Sequence, residues 1–153
     1  MIRVQQEDFS VADLYTALRE QSPNAGAIVT FTGLVREFYQ GTGEGPRVQT
    51  LYLEHYPGMT EKALQDIVDQ ASERWEVIAC QVIHRVGELE AGEQIVYVGV
   101  AGTHRGEAFA AAEFIMDYLK TRAPFWKRQQ TDEGSGWIES RASDDEARSR
   151  WEK

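Results

Sequence analysis

The 153-residue chain has one cysteine, Cys80, which excludes an internal disulfide framework and fits a reducing compartment. Its three histidines, His55, His84 and His104, show no short metal-ligand spacing. No CxxC or HExxH pattern accompanies them, so neither a structural zinc site nor any other metal is expected. Neither GxGxxG nor GxxxxGK followed by Ser or Thr occurs, which removes the nucleotide-binding loops of those types. A serine nucleophile elbow and a Cys–His arrangement are missing as well, and with them the usual hydrolase signatures. No apolar run is long enough to cross a bilayer; the stretch Ile95 to Gly102 is strand-sized. The start, Met1-Ile2-Arg3-Val4, lacks the apolar core of a secretion signal, and the cytoplasm is the expected location. Basic residues are outnumbered, 16 Lys and Arg against 25 Asp and Glu, for a net charge of −9. That balance argues against a general binder of nucleic acid or anionic membranes.

A hydrophobic fraction of 42% and a charged fraction of 27% are those of an ordinary globular protein. Ser10 ahead of Val11, Leu14, Tyr15 and Leu18 predicts a capped amphipathic helix ending near Gln21. Ala27 to Val35 is β-branched and aromatic and reads as a strand, followed by a glycine-rich loop over Glu37 to Pro46. Val48 to His55 resumes a strand, and Pro57-Gly58-Met59-Thr60 opens a helix to about Trp75. Val77 to Val86 and Ile95 to Ala101 read as two more strands joined by the turn Glu90-Ala91-Gly92-Glu93. The second of these is apolar on both faces and should lie centrally in its sheet. A long helix is expected from Gly106 or Glu107 to about Arg122, stopped by Pro124. Phe125 to Gln130 should be extended, Thr131 to Gly136 a turn, and Trp137 to Glu139 a short returning strand. The tail from about residue 143 is charged, weakly helical and peripheral. With no repeat or linker in sight, residues 1–153 are expected to form one α+β domain.

Cys80 alternates with Ile78 and Val82 in its strand, which makes it a small core side chain rather than a reactive thiolate. If the protein handles sulfur, the sulfur should arrive on another molecule. Against the acidic background, five cations fall between Arg105 and Arg128: Arg105, Lys120, Arg122, Lys127 and Arg128. Thr103-His104-Arg105 stands where a strand meets a helix N-terminus, a place that attracts phosphate. Taken alone, that pair reads first as a helix cap and a surface arginine. Lys120 in a last helical turn complements the helix dipole in any protein. Lys127 is harder to explain away, because Pro124-Phe125-Trp126 should anchor its strand against the core. Two lysines held close repel, which favours one neutral amine as base or nucleophile and one cation for an anion. On a regular strand Lys127 and Arg128 face opposite ways, so both line one pocket only with a twist, a bulge or a second subunit. Arg36, at the end of a strand, and Arg141, after the last one, read singly as solvated.

Several blocks together resemble the large subunit of molybdopterin synthase. They are Phe31-Thr32-Gly33, Leu53 to Met59 (LEHYPGM), Ile83 to Leu89 (IHRVGEL), His104-Arg105, and Lys120 to Lys127 (KTRAPFWK). The resemblance runs in order from about Phe9 to Trp151. It implies an α/β hammerhead with an additional small antiparallel β subdomain. It also implies conversion of cyclic pyranopterin monophosphate into the dithiolene ligand molybdopterin. The sulfur would come from a thiocarboxylate on the C-terminal Gly-Gly tail of a small ubiquitin-like subunit. The assembly implied is a homodimer of large subunits within a heterotetramer, without a cofactor. By the same resemblance Lys120 and Lys127 are the catalytic residues, and Arg36, His104, Arg105, Arg128, Gln129 and Arg141 bind substrate. The family pattern has a lysine where this chain has Leu34, leaving either one cation fewer for the precursor or Arg47 in its place. Two rival functions are a non-catalytic scaffold for a ubiquitin-like partner and a nucleic-acid-binding domain. The first would bind the partner but not the pterin, and the second is disfavoured by the −9 charge.

Overall fold

Two sheets form, and the residue pattern decides which faces they bury. The computed structural model describes residues 1–36, 48–131, 134–138 and 142–152. The elements are β1 (Ile2–Gln5), α1 (Val11–Gln21), β2 (Ala27–Leu34), β3 (Val48–His55), α2 (Met59–Arg74) and β4 (Val77–Arg85). After them come β5 (Gly87–Glu90), β6 (Gln94–Gly102), α3 (Arg105–Arg122), β7 (Phe125–Thr131), β8 (Gly134–Ile138) and α4 (Ala142–Ser149). The first sheet has the order β1-β4-β6-β2 and the second β5-β3-β7-β8. In the first, β1 runs parallel to β4 and the other pairs are antiparallel. The second is antiparallel throughout. This is the α+β architecture with a separate antiparallel sheet that the resemblance implies.

Period-two alternation on β4 and β6 gives the first sheet two apolar faces, and helices cover both. Toward one side, Val82, Val96, Val98 and Val100 pack with Leu64, Ile67 and Ala71 of α2 and Ala108, Ala111 and Ile115 of α3, all buried. Small alanines let α3 approach the sheet closely; each larger side chain buried there contributes about 1.5–3 kcal/mol. On the other side α1 sets Leu18 near the fully buried Tyr97. Two polar links hold that side: the Tyr97 hydroxyl donates to Gln81 (3.1 Å), and Gln81 Nε2 donates to the Leu14 carbonyl (3.1 Å). Ser10 caps α1 by accepting from the Asp13 N–H at 3.3 Å, as its sequence signature predicts. β6 lies between β4 and β2, so the doubly apolar strand is indeed internal.

Four details differ from the sequence expectation. β1 was not anticipated; its four residues are too few to show a period, and its parallel pairing with β4 is a purely tertiary gain. β5 was likewise not expected, because Gly87–Glu90 leaves the direction of β4 to pair with β3 in the second sheet, and Gly87 takes a left-handed φ of 88° at that corner. β8 begins at Gly134, earlier than the expected strand at Trp137, because Thr131 already pairs with Gly134. Ile78 is 42% exposed instead of sharing a buried face with Cys80 and Val82, since the register slips between Val77 and Ala79. The loop over 37–46, Arg47, Glu139 and Arg141 lie outside the described residues. At the other end Trp151, after α4, packs edge-on against Trp75 and Phe114, and its indole N–H donates to Asp117 at 2.7 Å. Among the described residues no helix is long and apolar enough to cross a membrane.

Candidate active site

The last turn of α3 buries Tyr118 and Leu119 and leaves Lys120 exposed above them. Pro124 then forces an extended backbone, and the chain enters β7. This corner is pinned from afar by Thr60, a fully buried residue at the start of α2. Its hydroxyl donates to the Pro124 carbonyl (3.2 Å) and accepts the Tyr56 N–H (3.2 Å). On β7, Phe125 pairs with His55 and Lys127 with Leu53 of β3. Phe125 and Lys127 therefore share the strand face that Leu53, 1% exposed, turns to the interior. Lys127 itself is half-buried.

Opposite that face stands His84, near the end of β4 and 4% exposed. Its ring stacks on Phe125, with centroids 3.9 Å apart and planes 22° from parallel. Its Nδ1 lies 2.8 Å from the Arg85 carbonyl. Burial, foremost, pushes the imidazole pKa down to about 3; the Arg85 carbonyl opposes this, while Lys127, Lys120 and His55 push the same way as burial. Lys120 and Lys127, seven positions apart across a helix end and a strand, thus bear on one buried ring. His55 lies at the rim, its Nε2 3.7 Å from Glu61 Oε1, and the other Glu61 oxygen accepts the Gly58 N–H at 2.6 Å.

The remaining sequence candidates are dispersed. His104 occupies the N-cap position of α3 without making a side-chain cap bond, and Arg105 opens the helix; both are exposed. They stand at the opposite end of α3 from Lys120, about 22 Å away at 1.5 Å per residue. Arg36 is exposed just past β2, three residues beyond Gly33. Gly33 pairs with Val96 and Val96 with His84, so Arg36 leaves the sheet at the His84 end, two strand spacings or about 10 Å across. Arg128 and Gln129 are described through their backbone, opposite Tyr52 and Leu51 of β3. Successive β7 positions alternate between faces, which sets position 128 on the side away from Lys127. Arg122, part of the cation run, lies over the Tyr118 ring (4.3 Å) and 3.7 Å from Glu152, so it serves the tail. An open depression of about 660 Å³ lined by Tyr15, Arg19, Glu20 and Pro23 lies on α1 and β2, remote from the lysines. Among the described residues no three His, Cys, Asp or Glu side chains could hold a metal ion. Cys80 is a half-buried free thiol packed against the edge of the core, and burial pushes its pKa up to about 12.

Sequence reasoning missed His84 and His55, having weighed those two residues only as metal ligands. The available signal was period: His84 follows Cys80 and Val82 at intervals of two, on the face turned to the interior.

A helix-flanked mixed sheet, joined through a buried histidine–phenylalanine stack to an antiparallel sheet that carries a lysine, defines an α+β protein. The chain belongs to the MoaE protein family, whose model matches residues 4–122. It is 58% identical over 151 residues to the molybdopterin synthase catalytic subunit of Vibrio cholerae, covering 99% of this chain and 97% of that one. Among solved structures, the molybdopterin biosynthesis MoaE protein from Burkholderia ambifaria matches with a TM-score of 0.84 and 45% identity, covering 100% of this chain and 98% of that one. Molybdopterin synthase from Staphylococcus aureus matches with a TM-score of 0.77 and 30% identity over 89% of this chain and 95% of that chain.

Proposed function

We propose that the chain is the catalytic subunit of a molybdopterin synthase and that Lys120 and Lys127 are its central catalytic residues. It moves sulfur from the C-terminal thiocarboxylate of a small ubiquitin-like carrier onto cyclic pyranopterin monophosphate, forming the dithiolene. The observation that carries the lysine assignment is that the charges of both, from two different elements, act on the buried His84 ring, in a chain of this family.

The chemistry asks for fixed positive charge. The precursor bears a phosphate, and negative oxygen develops as sulfur attacks and the carrier carboxylate leaves. Ammonium groups in a partly dry pocket stabilise such charge where it forms, with no reorganisation at the moment of reaction. One lysine stays charged for that task and the other, neutral, takes the proton. Lys127 is suited to the drier role, being half-buried beside Leu53, while the exposed Lys120 meets solvent and the arriving tail.

His104 and Arg105 lie too far from Lys120 in one chain to touch the same small substrate. They bind it across a homodimer, the partner copy supplying them, with a carrier subunit on each half of the heterotetramer; Arg36, Arg128, Gln129 and Arg141 complete the anion site. The whole assembly works in the cytoplasm. Mixed dimers of Lys127→Ala and Arg105→Ala chains are expected to regain activity that neither homodimer has; no recovery would contradict a shared pocket. Lys120→Ala is expected to abolish nearly all dithiolene formation while leaving carrier affinity unchanged, and unchanged turnover rejects the role given to that residue.

A further inference from the structure

Resting on that assignment of the lysines, we infer that His84 is their positioning residue: it joins the two sheets and sets the Lys120–Lys127 pair through an unprotonated ring nitrogen. The Arg85 carbonyl can only accept, so at 2.8 Å the Nδ1 carries the proton, and in the neutral ring Nε2 then holds the lone pair. The stack on Phe125 fixes the plane of the ring. Phe125 in turn precedes Lys127 by two positions on the same strand face, so the imidazole sets how β7 delivers that lysine.

The surroundings show why the ring stays neutral. Its register neighbours on the sheet are Val4 of β1 and Val96 of β6, which offer no charge. The groups that bear on it are Lys127 from β7, Lys120 from α3 and His55 from β3. The Arg85 side chain turns elsewhere, to the Gln6 and Gln94 carbonyls and toward Glu93 and Asp8. A neutral ring beside the lysines adds no further positive charge to the pair and offers an acceptor. An apolar ring in its place would keep the stack and lose the acceptor.

The test is steady-state sulfur transfer by the reconstituted enzyme with thiocarboxylated carrier, alongside the thermal midpoint of each variant. His84→Phe keeps a flat ring on Phe125 but has no ring nitrogen. It is expected to lose kcat about tenfold with KM within about twofold of wild type and little change in melting temperature. His84→Gln, whose amide reaches the Nε2 position, is expected to recover part of that loss. Turnover of His84→Phe within about twofold of wild type, or a loss that merely follows its melting temperature, overturns the inference. Should His84→Phe not fold, the comparison passes to His84→Gln and His84→Asn, whose amide sits at the Nδ1 position. Higher kcat in Gln supports the lone-pair role, and equal or higher kcat in Asn overturns it. Lys120→Ala and Lys127→Ala run in parallel keep the two questions apart: if both stay active the lysine assignment fails, whereas loss there with full activity in His84→Phe sinks the His84 inference alone.

Discussion

Acid should unfold this protein partly through His84, and the size of the effect follows from its burial. In the unfolded chain the imidazole titrates near 6.5, while in the folded protein burial holds it at about 3. Above 6.5 both states are neutral there and the group is indifferent to pH. Below 6.5 the unfolded chain takes up a proton that the folded one refuses, so stability is lost as pH falls, until about 3. The slope approaches about 1.4 kcal/mol per pH unit, which integrates to about 2 kcal/mol between pH 7 and pH 5. Asp8 also stabilises less in acid, because the Gln94 amide, first of all, lowers its pKa, but its loss falls below its ordinary value of 3.8 and outside this window. Urea unfolding of wild type and His84→Phe, followed by tryptophan fluorescence at pH 7, 6 and 5, isolates the contribution. The variant should gain on wild type by about 2 kcal/mol across that range. Parallel pH dependences would refute it, since His55 and His104 are common to both chains.

Two further outcomes follow from the packing. Thr60→Val keeps the shape of a fully buried side chain but strips partners from the Tyr56 N–H and the Pro124 carbonyl. Stability should fall by about 1–3 kcal/mol, read as a lower urea midpoint, and an unchanged midpoint would show that the α3–β7 corner does not depend on it. Cys80, its thiol pushed up to about 12 by burial, should resist thiol reagents at pH 8 in the folded enzyme and react once urea unfolds it. Rapid modification without unfolding would place it at the surface instead.

Much of the fold was legible because its elements carry strong local signals. Ser10 marks α1, the doubly apolar Ile95 to Gly102 run marks an internal strand, and Pro124 ends α3. The elements that escaped, β1 and β5, are four residues each and exist through pairing with distant strands, which no local period reveals. The site was legible in composition rather than in geometry. Lys120 and Lys127 stood out as cations around an aromatic strand entry. Nothing in their spacing showed that the chain turns at Pro124 to bring both to bear on one ring. His84 went unnoticed because its partners, Phe125 and the two lysines, lie 36 to 43 positions downstream. The separation of His104 and Arg105 from the lysines was equally hidden until α3 proved continuous over Arg105–Arg122.

The most direct measurement is single-turnover sulfur transfer from thiocarboxylated carrier to cyclic pyranopterin monophosphate, scored as dithiolene formed per site. Wild-type chain should convert the precursor, and Lys127→Ala should bind carrier and precursor yet form product at least about a hundredfold more slowly, the range in which lost charge stabilisation and proton transfer are felt. Equal rates in the two proteins would contradict the claim that the buried-side lysine handles the developing charge.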